Sequence, residues 1–444
     1  MSAYPPEAPV PAAGGDAIRE RLRRLGAGAG RPLGRPAPAS RTGETAATAP
    51  RPVISPGAAI TPAAAGDGVE ILRAGFGPGH RHGRCAVGDA LRAIDDGGDL
   101  GRTVWLDTET TGLAGGTGTY AFLIGLAYWD GGQLVVEQLL LRRLSGERRL
   151  LTVLAERLAG ARHLVTFNGQ RFDWPIIEAR FVLARQRPAS FDAHTDLIYP
   201  ARRLWHRVLG THRLSTLEAE VLGAPRSRDV PGWEIPGIYV RYLRDTDRAA
   251  LDPILVHNRA DLLALVLLHG EVSRILRAPL DAGVALDWEG TGVLVGRRGA
   301  HAVAIECFER AMLGACEPGD RWRVLQKLTR AHRAAGDPDG ARRRWEAEAG
   351  TWTRPDRFRA HVLEEVAKAR ARQHEIRGAR AAVTEALSIV DGLLEESGSL
   401  RAARAAGMAR LADRLRARLA RLIERDREPS PGRETAGQHA RRGA

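Results

Sequence analysis

Three short motifs in this chain carry the residues best suited to chemistry: Asp107 and Glu109 in V-W-L-D-T-E-T-T-G, Asp173 in N-G-Q-R-F-D, and Asp261 in H-N-R-A-D. Each sits where a strand end or a helix would deliver its carboxylate to a shared point. Carboxylates that converge without basic partners repel one another unless cations lie between them. The cations that suit such ligands are hard, oxygen-loving Mg²⁺ or Mn²⁺. The chemistry that a pair of these ions serves best is phosphodiester cleavage.

The local spacing supports this chemistry. Asp107 and Glu109 are two apart, so on a strand both side chains point to one face, and the apolar run Val104-Trp105-Leu106 predicts that strand. Thr110 and its neighbours then lead into Gly115-Gly116-Thr117-Gly118-Thr119, a loop suited to wrapping a phosphate backbone. Asn168-Gly169 leaves a second strand shortly before Asp173; carboxyl ends of strands in α/β sheets are where ligands bind. A helix N-cap is the plainer role for Asp173. His257 and Asp261 are four apart, one above the other on a helical face. That pairing suits a metal-binding carboxylate beside a base able to take a proton from water near neutral pH. Thr110, Asn168 and Asn258 are candidate substrate contacts, Asn168 also serving to support its turn. Asp196, in F-D-A-H-T-D-L, reads as a supporting acid outside the metal set.

The elements that must position these groups alternate between strand and helix. Strands are predicted at 102–107, 120–129, 134–141, 163–167 and 191–196, with Asp130-Gly131-Gly132 a hairpin turn. Helices are predicted at 146–159, 174–184 and 251–272, and Ser215 with Glu218 reads as a capping box for a helix ending near Gly223. Three strands in hairpin order followed by helix–strand crossovers give a mixed α/β sheet with helices on both faces.

Around this domain, residues 1–64 are rich in Ala, Pro and Gly and read as disordered apart from a basic amphipathic piece at 16–25. Residues 65–100 read as an N-terminal extension packing on the domain at 101–275. Residues 290–424 read as all helix and repeat themselves: Val324-Leu325, Leu328, Ala331, Ala341, Trp345 and Ala349 recur 38 positions later as Val362-Leu363, Val366, Ala369, Ala379, Val383 and Leu387. Such a period predicts a helical solenoid. Residues 425–444 read as a disordered tail.

The net charge of +13 favours a polyanionic partner. Only two of 66 basic residues are lysine, however, so part of this excess reflects an arginine-rich composition rather than a binding site. Residues 271–444 hold 33 basic against 25 acidic residues, and residues 101–270 are nearer balance, with 21 against 18. Three scattered cysteines suggest neither zinc nor disulfides. No apolar leader and no 18-residue apolar run is present, which predicts a cytoplasmic protein with no membrane contact.

Together the three motifs, in this order, resemble the DEDD exonuclease superfamily of the ribonuclease-H-like fold. Asp107 and Glu109 match its first motif, Asp173 its second and Asp261 its third; His257 gives the third motif its histidine form. The opening D-T-E-T-T-G-L-x-G-G-T-G-T-Y is most similar to the YprB-like bacterial branch, in which such a domain precedes a tetratricopeptide-like region. The resemblance implies a five-stranded sheet of order 3-2-1-4-5 with its second strand antiparallel. It also implies a reaction using two Mg²⁺ or Mn²⁺ ions that releases nucleotides from a single-stranded 3′ end of DNA or RNA. In that scheme Asp107 bridges both ions, Glu109 binds one and orients water, Asp173 and Asp261 complete the ligand set, and His257 is the general base. The repeats would bind a protein partner. Two alternatives stand beside this one: a structure-selective endonuclease of the same fold, and a non-catalytic adaptor acting through its helices.

Overall fold

The computed structural model describes residues 61–66, 68–94, 100–112, 118–227, 229–395 and 402–427. The expectations for residues 1–60, for the piece at 16–25, for loop residues 113–117 and for the last 17 residues lie outside these.

In chain order the strands are β1 (Thr61–Gly66), β2 (Val69–Phe76), β3 (Arg81–His82), β4 (Cys85–Ala86), β5 (Thr103–Thr110), β6 (Ala121–Asp130), β7 (Gln133–Leu141), β8 (His163–Thr166) and β9 (Ala193–Asp196). The helices are α1 (Val87–Ile94), α2 (Glu147–Leu158), α3 (Asp173–Leu183), α4 (Ile198–Leu209), α5 (Leu214–Glu220), α6 (Ile235–Asp245) and α7 (Asp252–Arg277). There follow α8 (Trp288–Arg297), α9 (His301–Gly314), α10 (Pro318–Ala334), α11 (Pro338–Thr351), α12 (Arg357–Arg372), α13 (Ile376–Glu395) and α14 (Ala402–Arg427). None of the described helices is long and apolar enough to cross a membrane.

The main sheet is mixed, with order β1-β2-β7-β6-β5-β8-β9. Its last five strands stand in the expected 3-2-1-4-5 order: β6 runs antiparallel to β5 and β7, while β8 and β9 run parallel to β5. The expectation of five strands falls short by two. β2 pairs with β7 along eight residues and β1 pairs with β2, so the segment read as a packing extension lengthens the sheet, and residues 61–64, read as disordered, belong to β1. The reason is at the edge: β7 is buried along nearly its whole length, and without β2 its backbone groups would be left unpaired.

Alternation along β5 sorts the core. Trp105 packs on one face with α1, α4, α5 and α7, and Val104 and Leu106 pack on the other with α2, α3 and α6. Three helices were not foreseen, α1, α4 and α6. α6 carries Pro236 in its first turn, where proline suits a helix.

The capping-box reading also fails. Arg213 occupies the cap, Ser215 lies inside α5, and the Glu218 side chain is fully buried among other partners.

The C-terminal helices share one core that includes Val324, Leu325, Leu328, Ala331, Trp345, Val362, Leu363, Val366, Ala379, Val383 and Leu387, most of the positions singled out by their recurrence. α8 fastens these helices to the sheet domain. The Asp287 amide donates to the Leu204 carbonyl within α4 (2.8 Å). Buried Glu289 gathers Arg207 of α4 with Arg323 and Lys327 of α10.

Burial pushes the Glu289 carboxyl up, but hydrogen bonds from Arg323, Lys327 and Arg207 outweigh it and hold the group at about 2, against a usual 4.5. A depressed carboxylate contributes stability above its unfolded value and loses it as pH falls through its folded one. Glu289→Gln should therefore cost about 2 kcal/mol at neutral pH, since the three cations can resolvate. In urea unfolding, the gap to the parent should close as pH drops from 4.5 toward 2.

Candidate metal and nucleic-acid site

β5 is buried over its first four residues and then emerges, so Asp107, Thr108, Glu109 and Thr110 line a recess at its carboxyl end. Alternation turns Asp107 and Glu109 toward α7, which crosses this face of the sheet. The crossing is close because β6 has Gly125 opposite Asp107. A Cβ on Gly125 would lie 2.4 Å from Asn258 Oδ1 and 2.6 Å from Leu262 Cδ1. The missing side chain is what admits Asn258.

Asn258 is fully buried and fully used. Its amide nitrogen donates to Asp107 Oδ2 (2.8 Å), and its oxygen accepts from Gln138 Nε2 (2.9 Å). The expectation that Asn258 contacts substrate is thus corrected: no surface remains for a ligand, and the residue fixes Asp107 instead. Gln138 was not singled out in the sequence, where it reads as one polar residue in an apolar strand.

Glu109, His257 and Asp261 each turn one potential ligand atom toward a common point, all within 4.8 Å of one another. His257 Nε2 lies 3.2 Å from Asp261 Oδ2 and 3.7 Å from Glu109 Oε1. Asp173 is the first residue of α3, not its cap, and accepts from Thr108 Oγ1 (2.5 Å). Asp196 supports it from behind. Its carboxylate accepts from the amides of Asn168 (2.6 Å), Gln170 (3.1 Å) and Ile198 (3.1 Å), pinning the turn that leads into α3. Asn168 holds a left-handed conformation there (φ 66°), as its turn-supporting role predicts. Thr110 donates to the Gly112 carbonyl (2.9 Å), and Thr111 pairs with Tyr120 through both backbone and hydroxyl, closing the base of the following loop.

The electrostatics are those of a crowded anionic recess. Burial, and then the charges of Asp261, Asp173 and Glu109, push the Asp107 carboxyl well above the usual carboxylate range. Burial also pushes Glu109 up to about 8 and Asp173 up to about 6. For Asp261, burial is outweighed by the hydrogen bond from His257 and the charge of Arg226, which hold it below its ordinary value. Burial would lower His257, but its bonds to Asp261 and Asp229 carry it up to about 10.

Basic partners are therefore present, contrary to the sequence expectation: Arg226 donates to Asp261 Oδ1 (2.5 Å) and to Asp229 Oδ2 (3.0 Å). Neither Arg226 nor Asp229 belongs to a recognisable motif; P-R-S-R-D reads as an ordinary polar loop.

The donor set fits hard divalent cations: three carboxylates with raised proton affinity, and a histidine whose proton stands in for missing positive charge. Asp107, Glu109, Asp173 and Asp261 are the residues that would hold them.

Residues 104–273 match the family model described as the RNase_H superfamily. A curated relative from Bacillus subtilis (strain 168), "Uncharacterized protein YprB", is 36% identical over 173 residues, covering 38% of this chain and 41% of the relative. The chain thus spans about two-fifths of the length of the curated relative it matches. Among solved structures, the family B DNA polymerase from the archaeon Pyrobaculum calidifontis aligns over 73% of this chain and 51% of its own, at 14% identity. Its TM-score of 0.32 is too low to bear on fold or activity.

Two outcomes follow from the geometry. Gly125→Ala should cost about 1–3 kcal/mol through overpacking, and should weaken Mn²⁺ binding measured by calorimetry, because Asn258 is pushed off Asp107. The second concerns pH. Groups whose folded pKa is raised contribute stability below their unfolded value and lose it as pH rises through the folded one. Metal-free protein should therefore melt at progressively lower temperature between about pH 5 and pH 8, the window set by Asp173 and Glu109. The melting-point gain on adding Mn²⁺ should grow over the same interval. A flat profile without a Mn²⁺ effect would show that the acids do not share one desolvated recess.

Proposed function

We propose, from the match of residues 104–273 to the ribonuclease H superfamily, that the protein is a metal-dependent 3′–5′ exonuclease acting on single-stranded ends of DNA or RNA. One observation carries the reading: Glu109, His257 and Asp261 meet at a point, and the charges of Asp261 and Asp173 reach both Asp107 and Glu109.

Asp107, Glu109, Asp173 and Asp261 would hold two Mg²⁺ or Mn²⁺ ions. Bound there, such ions neutralise phosphate charge and stabilise the attacking and leaving oxygens. Nε2 of His257, turned toward Glu109 and Asp261, is the atom that accepts the proton of the attacking water. It does so as the neutral ring, so the proton it holds in the metal-free recess must leave before turnover. Asn258 keeps Asp107 from rotating and Thr108 does the same for Asp173, so the acids need not reorganise during the reaction. Thr110 and Asn168, at the recess edge, contact the nucleotide strand. The C-terminal helices, tetratricopeptide-like in this reading, dock a protein partner, and the protein works in the cytoplasm.

A labelled single-stranded oligonucleotide should shorten from its 3′ end with Mn²⁺ or Mg²⁺ present, while a closed circle should survive. Asp107→Ala and Asp261→Asn should each lower the rate by about a thousandfold or more without loss of fold, as expected when several kcal/mol of charge stabilisation is removed. Cleavage of the circle would replace the exonuclease with an endonuclease of the same fold; unchanged rates in both variants would remove the assignment.

A further inference from the structure

The loop between α5 and α6 places two charged residues against the third motif, and each grips an outward-facing atom. Asp229 Oδ1 lies 2.5 Å from His257 Nδ1. Arg226 Nη2 donates to Asp261 Oδ1 at 2.5 Å. The inward-facing atoms, His257 Nε2 and Asp261 Oδ2, are left 3.2 Å apart and facing Glu109. Arg226 also joins the two grips, donating to Asp229 Oδ2 at 3.0 Å. With the Nδ1 proton aimed at Asp229, the nearby Arg226 Nη1 (3.3 Å from the ring) donates to that carboxylate and not to the imidazole.

The grip has a foundation. Arg226 Nε donates to Glu218 Oε2 (2.7 Å), and the Glu218 side chain has no solvent exposure. The other Glu218 oxygen, Oε1, is 2.6 Å from His82 Nε2, in the β3–β4 hairpin of the N-terminal segment. That hairpin is held against the end of α5 by the Arg84 amide donating to the Leu222 carbonyl (2.8 Å). Its turn residue is Gly83, with φ 63°, and a Cβ there would fall 2.3 Å from the same carbonyl. A continuous chain of contacts thus runs from the N-terminal hairpin through Glu218 and Arg226 to Asp261 and His257.

We propose that Arg226 and Asp229 are positioning residues for the nuclease reaction, forming a clamp that fixes the outer atoms of Asp261 and His257 and so presents their inner atoms to the ions and the attacking water. This deepens the reading given above and rests on it. A carboxylate on Nδ1 fixes both the tautomer and the ring plane of a histidine that works through Nε2. A guanidinium spreads donors in a rigid fork, so it can bridge Glu218, Asp229 and Asp261 at once, where a lysine supplies one point of charge.

The test uses the full chain with two readouts, Mn²⁺-dependent cleavage of a labelled single-stranded oligonucleotide and Mn²⁺ binding by calorimetry. Asp229→Ala should lower kcat about 10- to 100-fold with KM nearly unchanged, and Asp229→Asn, which keeps an acceptor for the Nδ1 proton, should recover most of that loss. Arg226→Ala should raise the Mn²⁺ concentration for half-maximal rate about 10- to 100-fold, with Arg226→Lys between it and the parent. Should Arg226→Ala prove too unstable to purify, the Asp229 pair decides the question alone, since Asp229 stands at a partly exposed site. A merely structural role would lower the melting temperature and leave kcat per folded molecule and the Mn²⁺ requirement untouched; that result overturns the clamp. If the parent binds Mn²⁺ but cleaves nothing, and Arg226→Ala weakens that binding, the clamp stands and the nuclease reading falls. If the parent cleaves and none of the variants differs from it, the clamp falls and the nuclease reading stands.

Discussion

Mutual repulsion among Asp107, Glu109, Asp173 and Asp261, in a recess poor in water, is the constraint around which the domain is arranged. Burial raises the proton affinity of the first three, and neighbouring acids raise that of Asp107 and Glu109 further. Left to relax, such side chains would rotate away from one another into solvent. Three of the four are instead held by a neighbour: Asp107 by Asn258, Asp173 by Thr108, and Asp261 by Arg226. The recess therefore stores electrostatic energy that divalent cations can release on binding. The histidine proton and the Arg226 guanidinium supply part of that charge in their absence.

The sheet makes this restraint possible. β5 is an interior strand, hydrogen-bonded to β8 over Thr103–Trp105 and to β6 as far as Thr110, so the stem that carries its carboxyl end is fixed. α7 carries His257, Asn258 and Asp261 across the same face, and its approach is set by the one position of β6 without a side chain. β8 ends short of β5, and the turn beyond it, fixed by Asp196, swings Asp173 back toward the recess. Buried Glu289 then ties the helical region to α4, so that region is joined to the nuclease-like domain by charge as well as by apolar packing.

The parts legible in the sequence were those whose physics is local. Apolar runs marked β5 to β8, the double glycine marked the β6–β7 hairpin, and the i, i+4 spacing of His257 and Asp261 placed both on one face of α7. What escaped notice depends on distant partners. Gly125 reads as a weakness in a strand until Asn258 is seen packed upon it. Ser215 and Glu218 have the spacing of a capping box, yet buried charge partners at His82 and Arg226 outcompete the local helix end for the Glu218 carboxylate. β2 carries no signal of its own for sheet addition; its place is dictated by the buried edge of β7, a property of the folded sheet.

The N-terminal segment gains significance from this distinction. A piece that merely covered the domain would need apolar contact alone, and β2 with α1 supplies that through Phe76, Val87 and Leu91. The hairpin between them does something different. His82 reaches an acid with no solvent exposure, and that acid shares its charge with the arginine gripping Asp261. Removing a partner from a fully buried carboxylate costs more than losing a contact at the surface, because the remaining charge has no water to turn to. Displacement of the hairpin would therefore be felt first at Glu218 and next at Arg226, two contacts from the recess. On this view the segment ahead of β5 belongs to the machinery that shapes the recess.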